Sequence, residues 1–262
     1  MCYFKVIIPC YNASEYITKC IESIENQTFK DYKIIVINDV CEDDTFNMVL
    51  KMAEKYDNII CIDPKVKLFN GGARNVGIKY KIDSKYTLFL DNDDWFENPN
   101  VFQQIYDNAK KYKEPDCIRL SYLCLMGKNT FNVDLKENTP KDLVNSLYIA
   151  PWTKCIKSEL VVPFPENTLI EDVVQHIAQV DNIKTISVLG KPCVVWNRNN
   201  RNSCSLQENQ AILQNGKRVS SIYRNIADLM DLKCKNDYCE DHRKWRIECY
   251  KNLVKEGKEV TF

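Results

Sequence analysis

Two periods of apolar residues alternate along the first half of the chain. Residues 3–9 (YFKVIIP) form an apolar, β-branched run without helical spacing, which predicts a buried strand. Ile17, Ile21 and Ile24 then recur at helical spacing within residues 14–25, with Ser14 as candidate N-cap. The pair repeats as a strand over 32–37, a helix over 44–56 and a short strand over 59–62. A helix opened by Gly71 and Gly72 runs to about Lys81, followed by a strand over 86–90 and a helix over 102–112 with Pro99 at its N1 position. A strand over 117–123 continues the series. Alternation of this kind predicts an α/β fold with a mainly parallel sheet wrapped by helices.

The pattern weakens over residues 127–140, which read as a loop or hairpin. A helix over 141–147, the segment PWTKCIKSELV and a helix over 170–180 complete the core. Beyond about Leu206 the chain reads as amphipathic helices, with Ile212, Val219, Ile222, Ile226 and Leu229 on one stripe. The expected organisation is one main domain over 1–205, in two parts (1–123 and 124–205), and a helical extension over 206–262. That helical tail serves packing on the core, a dimer or a tether to a partner, and an apolar stripe most often means core packing.

Composition narrows the partners. Lys plus Arg equal Asp plus Glu at 36 each, so no global field draws the protein to nucleic acid or an anionic membrane. No apolar run reaches the roughly 20 residues that span a bilayer, and the chain enters its first strand without a signal-peptide pattern. The expectation is a cytoplasmic protein, with peripheral membrane association allowed. The 13 cysteines, odd in number and mostly within apolar segments, read as core thiols in a reducing compartment. Cys234, Cys239, His242 and Cys249 lie close enough to suggest zinc, but no CxxC pair is present and free thiols are the favoured reading.

The strongest chemical signal is Asp91-Asn92-Asp93-Asp94, directly after the strand TLFL. Ligands of open parallel sheets bind beyond the carboxyl ends of the strands. Three carboxylates there suit Mg²⁺ or Mn²⁺ bridging to phosphate oxygens, against the plainer reading of a solvated acidic turn. Asp39 ends the second strand and Asn12 follows the first, so polar residues terminate three strands at one edge. Arg74, beside the glycine pair, is placed to hold a diphosphate. Glu171 and Asp172 are either ordinary helix N-terminal charges or the source of a general base. His176, one turn further, is expected to pair with Asp172. Trp95 and Trp152 are either sugar-stacking surfaces or packing residues. GxGxxG, GxxxxGK[ST] and GxSxG are all absent, which argues against dinucleotide oxidoreductases, P-loop enzymes and α/β-hydrolases.

Taken in order, VIIPCYNASEYITKCIESIENQTFKDYKIIVIND, NGGARNVGI, LFLDNDDW, WTKCIKSELV to IEDVV, and WNRNNRNSCS resemble glycosyltransferase family 2, the inverting group with the GT-A fold, over residues 3–205. The resemblance implies a Rossmann-like mixed, mainly parallel sheet, with a nucleotide-binding half over 1–123 and an acceptor half over 124–205, and transfer from a nucleotide-diphosphate sugar to a hydroxyl of a carbohydrate-type acceptor. By position it places Pro9, Tyr11, Asn12, Asp39 and Asn70 at the nucleotide, and Arg74 at the diphosphate. Asp91 and Asn92 fall at the ribose or donor sugar, with Asp93, alongside Asp91, at an Mn²⁺ or Mg²⁺ ion. Asp172, next to Glu171, is implied as the base, Trp152 as an acceptor contact, and Arg198, Arg201 and Ser203 as a closure over the phosphates. Asn38-Asp39 replaces the usual aspartate pair, and VCEDD the usual Gly/Ser-rich turn. The readings weighed against it are a sugar nucleotidyltransferase and an inactive nucleotide-sugar-binding module.

Overall fold

A computed structural model describes residues 1–166, 168, 171–200 and 217–256 of the chain. Four strands, β1 (Cys2–Cys10), β2 (Tyr32–Asn38), β3 (Ile59–Ile62) and β4 (Ser84–Phe89), run parallel in the order β3-β2-β1-β4. Between them lie α1 (Ile17–Glu25), α2 (Thr45–Lys55) and α3 (Phe69–Lys79). The two-residue β5 (Trp95–Phe96), α4 (Val101–Lys111), β6 (Cys117–Met126) and its hairpin partner β7 (Asn129–Val133) follow. Then come α5 (Pro140–Val144), β8 (Lys154–Lys157), α6 (Glu171–Val180) and β9 (Ile186–Asn197). β8 inserts antiparallel between β4 and β6, while β9 lies parallel to β6. Two helices, α7 (Lys217–Asp231) and α8 (Asp237–Glu256), end the described chain.

The predicted strands are buried on both faces: Val6, Ile7, Ile8, Ile34, Ile35, Val36 and Ile37 have no exposure, as a parallel sheet covered by helices requires. Two expected helix starts shift. Helix α1 begins at Ile17, and the Ser14 N–H is taken instead by the Asp43 carboxylate at 3.1 Å. Pro99 precedes the N-cap Asn100, and its carbonyl accepts the Thr28 N–H at 2.7 Å.

Gly71 and Gly72 lie inside the first turn of α3 rather than opening it. Their value is close approach. A Cβ on Gly71 would stand 2.2 Å from the Pro165 carbonyl oxygen, and one on Gly77 2.6 Å from Ile7 Cγ2. Helix α3 therefore seats flat on the sheet and lets Pro165 and Glu171 close over its N-terminal turn.

A second apolar cluster joins α6 (Val173, Val174, Ile177, Val180) to Ile226 and Leu229 of α7 and Ile247 and Tyr250 of α8. The C-terminal helices thus spend apolar surface on the helix that begins with Glu171. Asp181, at the end of α6, accepts the backbone N–H groups of Lys235 and Asn236 at 2.6 and 2.9 Å, fixing the turn between α7 and α8. Ile212 lies outside the described residues. His242 donates from Nδ1 to Asn145 Oδ1 at 3.0 Å and accepts the Arg246 Nε–H at 3.4 Å. Both ring nitrogens are thereby engaged. Among the described residues no helix is long and apolar enough to cross a membrane.

Candidate active site

The carboxyl ends of β1, β2 and β4, the N-terminal turns of α3 and α6, and the end of β9 meet at one edge of the sheet. At the end of β2, Asp39 is buried and takes the Leu68 N–H at 2.5 Å and the Lys67 ammonium at 3.0 Å. Lys67 Nζ also lies 2.9 Å from the Tyr11 ring centroid, a cation–π contact. Asn12 turns the chain after β1 with φ of 42° and accepts the Glu42 N–H at 2.8 Å, tying the two strand ends together. Pro9 is buried within β1, and Asn70 is half-buried in the first turn of α3.

Each acid of the DNDD turn has its own partner. Asp91 accepts from Arg74 Nη2 at 2.7 Å. Asp93 accepts from Asn200 Nδ2 at 2.7 Å, and burial, with Asp91 beside it, pushes its carboxyl up to about 6. Asp94 is buried and takes the Asn197 N–H at 2.8 Å. Burial raises it well above the carboxylate range, so it serves as a clasp between the turn and β9. Asn92 Nδ2 reaches the Tyr11 carbonyl at 3.4 Å.

Arg74, expected beside a diphosphate, is 1% exposed and aims both Nη groups at carboxylates. Nη1 donates to Glu171 Oε1 at 2.6 Å and stands 3.6 Å from Asp172 Oδ1, while Nη2 holds Asp91. Burial opposes the guanidinium charge, but Asp91, Glu171 and Asp172 outweigh it and raise its pKa. Such a buried fork is the geometry at which Arg excels. It joins the DNDD turn to the Glu-Asp pair.

The two acids of α6 differ. Glu171 is buried; burial and the Asp172 charge push it up to about 8 against the opposing pull of Arg74. The Asp172 side chain is 32% exposed with Oδ1 buried and not hydrogen-bonded, so its other oxygen faces outward. Burial raises this carboxyl too, with Arg74 opposing.

His176 does not pair with Asp172. Its Nε2 donates to the Leu143 carbonyl at 2.9 Å and its Nδ1 receives the Lys154 ammonium at 3.2 Å. The carbonyl, which only accepts, fixes the tautomer. Trp152 is 4% exposed and packs edge-on to Tyr122 at 4.8 Å, so it offers almost no surface to an acceptor. Lys19 covers the Trp95 ring at 3.2 Å. Arg198 stacks on Trp196 at 4.8 Å; Arg201 and Ser203 lie outside the described residues. The sequence reading missed Lys67, Asn200 and Lys154, none of which sits in a recognisable spacing.

The mixed sheet, with β8 reversed inside it and an acidic turn at the end of β4, defines the GT-A class of fold. The chain superposes on Staphylococcus aureus TarS 1–349 in complex with UDP-GlcNAc with a TM-score of 0.74, covering 95% of this chain and 72% of that one at 20% identity. A mannosyltransferase from Pyrobaculum calidifontis, in complex with GDP-Man and Mn²⁺, superposes with a TM-score of 0.56 over 100% of this chain and 76% of its own, at 14% identity. Residues 5–127, just under half of the chain, match the Glycosyl transferase family 2 model. Among curated relatives, the minor teichoic acid biosynthesis protein GgaB of Bacillus subtilis is 43% identical over 131 residues, which is 48% of this chain and 14% of GgaB. The poly(ribitol-phosphate) beta-N-acetylglucosaminyltransferase TarS of S. aureus is 28% identical over 205 residues, 72% of this chain and 34% of TarS. The match thus spans about a third or less of these relatives' own length.

Proposed function

We propose that the chain is an inverting glycosyltransferase that moves a sugar from a nucleotide-diphosphate donor, most simply a UDP-sugar, to a hydroxyl of a carbohydrate-type acceptor. The observation that carries this reading is the Arg74 fork, which binds the acidic turn at the end of β4 and the Glu171-Asp172 pair into one constellation at the sheet edge. TarS supports the donor class through its complex with UDP-GlcNAc.

Asp172 is the base. Its outward oxygen takes the acceptor hydroxyl proton while the acceptor oxygen bonds to the anomeric carbon, and the carbon–phosphate oxygen bond breaks with its electron pair leaving on the nucleoside diphosphate. A carboxyl raised by burial is better matched to this proton transfer near neutrality than an ordinary aspartate. Glu171 cannot compete: buried and locked on Arg74, it reaches no hydroxyl, and it serves to orient the guanidinium.

A divalent cation fits the site in part. Among the described residues no three acidic, His or Cys side chains form a cage, but Mg²⁺ and Mn²⁺ accept one or two carboxylates when phosphates and water complete the sphere. Asp93, with Asp91 beside it, would hold the ion, which would supply positive charge to offset that of the departing diphosphate. Asp39 and Tyr11 would face the nucleoside, once Lys67 moves off the ring. Arg198 and, outside the described residues, Arg201 and Ser203 would close over the phosphates. The expected setting is cytoplasmic or at a membrane surface.

Asp172→Asn tests the base. It should cut transfer by about three orders of magnitude or more, within the range seen for general bases, with donor affinity within twofold of wild type. Transfer at the wild-type rate would remove Asp172 from the mechanism.

A further inference from the structure

Residues 143–150 run along the surface beside α6, yet they are held from below by buried cations. Arg119 and Lys154 have no exposure. Arg119 Nη2 donates to the Tyr148 carbonyl at 3.1 Å and to Ser146 Oγ at 3.3 Å, while Nη1 holds Thr153 Oγ1 at 2.7 Å. Lys154 Nζ donates to the Ile149 carbonyl at 2.6 Å, and His176 to that of Leu143 at 2.9 Å. Burying these two basic side chains is expensive, and Glu137, 3.5 Å from Arg119 Nη2, offsets only part of it. Here the expense fixes the backbone of one exposed segment. Lys154 also donates to His176 Nδ1, so the segment is tied to the helix that carries Asp172 one turn earlier.

What this rigid segment shows to solvent is an aromatic ring. Tyr148 is 42% exposed, and its buried side meets Tyr122 edge-on at 5.9 Å. Tyr122 in turn packs on Trp152 and Trp196. Trp152, the aromatic residue singled out in the sequence, is the buried foundation of this stack, and Tyr148 is its exposed end. An aromatic face with a polar tip suits the apolar C–H face of a pyranose ring and its hydroxyl rim. Two χ angles and a clamped backbone leave little entropy to lose on contact.

We propose that Tyr148 is the platform on which a sugar ring of the acceptor packs, held by Arg119, Lys154 and His176 on a segment tied to the helix that carries Asp172. The proposal rests on the reading of Asp172 as base for its location, and it extends that reading by naming the acceptor contact. It is tested by saturation-transfer difference NMR with cellobiose, lactose and N,N′-diacetylchitobiose in the presence of UDP, on wild type, Tyr148→Ala, Tyr148→Phe and Asp172→Asn. At least one saccharide should bind wild type and Tyr148→Phe alike, and bind Tyr148→Ala about tenfold more weakly, a difference of about 1.4 kcal/mol. UDP affinity and melting temperature should be unchanged in both Tyr148 variants. Asp172→Asn should bind the saccharide as wild type does, so failure of the base, read from turnover, stays separate from failure of the platform. Equal saccharide binding by Tyr148→Ala, an equal loss in Tyr148→Phe, or no saccharide bound by wild type would each overturn the proposal.

Discussion

Replacing Arg74 with Met removes one guanidinium and strands three carboxylates. Two of its contacts are short, 2.6 Å to Glu171 and 2.7 Å to Asp91, and the Arg74 and Glu171 side chains are 2% and 5% exposed. Breaking a buried ion pair by removing one partner costs about 3–5 kcal/mol, because the surviving charge is left without compensation. At about 2–4 °C per kcal/mol for a chain of this size, the melting temperature should fall by roughly 6–20 °C at pH 8. Acid should narrow the gap. Glu171 is raised to about 8 from an ordinary 4.5, so the folded protein holds its proton more tightly than the unfolded chain between those values. Without Arg74 opposing burial, that folded value rises further, and the variant regains stability relative to wild type as pH falls from 10 to 7, below which both folded states hold the proton. Differential scanning fluorimetry of both proteins across this range reads the effect directly. A loss below about 1 kcal/mol, the level of a surface pair, or a gap independent of pH, would refute the view that Arg74 is the charge hub of the site. Arg74→Lys should recover less than half of the loss, because an ammonium cannot fork between two carboxylates.

Gly71→Ala should destabilise the fold by about 1–3 kcal/mol, since its Cβ would meet the Pro165 carbonyl at 2.2 Å and backbone must shift; urea denaturation measures this. Lys154 is lowered to about 7 by burial first and then by Arg119. Between pH 7 and 10.5 the unfolded chain therefore binds the extra proton, and the lysine's contribution to stability rises with pH. Lys154→Met should abolish this rise, which is on the order of 2 kcal/mol between pH 7 and 9, in paired denaturation curves. Asp94→Ala leaves the Asn197 N–H without its carboxylate partner and should cost about 1–3 kcal/mol, with a matching loss of donor affinity by calorimetry as the DNDD turn loosens from β9.

The sheet was legible where burial is uniform. Strands β1 and β2 are apolar on both faces, and α1 carries Ile17, Ile21 and Ile24 on one, so a single period identifies each. Strand β8 was hidden because its four residues include Lys154, a charge that reads as surface and is instead buried against backbone carbonyls. Strand β9 was hidden by Gly190-Lys191-Pro192, which breaks the apolar run midway. The acidic turn could be found from its place after an apolar strand, whereas the Arg74–Glu171 pair spans 97 residues and follows only from the fold. Sequence also could not tell Trp152 from Tyr148 as the exposed aromatic residue, since exposure depends on which ring ends the stack.

We propose above all that the acidic edge takes a nucleotide-diphosphate sugar with a divalent cation. Isothermal titration of UDP-glucose, UDP-N-acetylglucosamine, UDP-galactose and GDP-mannose, with and without Mn²⁺, on wild type and Asp93→Ala tests it most directly. Binding of at least one donor that requires Mn²⁺ and is lost in Asp93→Ala is the predicted result; binding that ignores both the metal and the substitution would contradict the account.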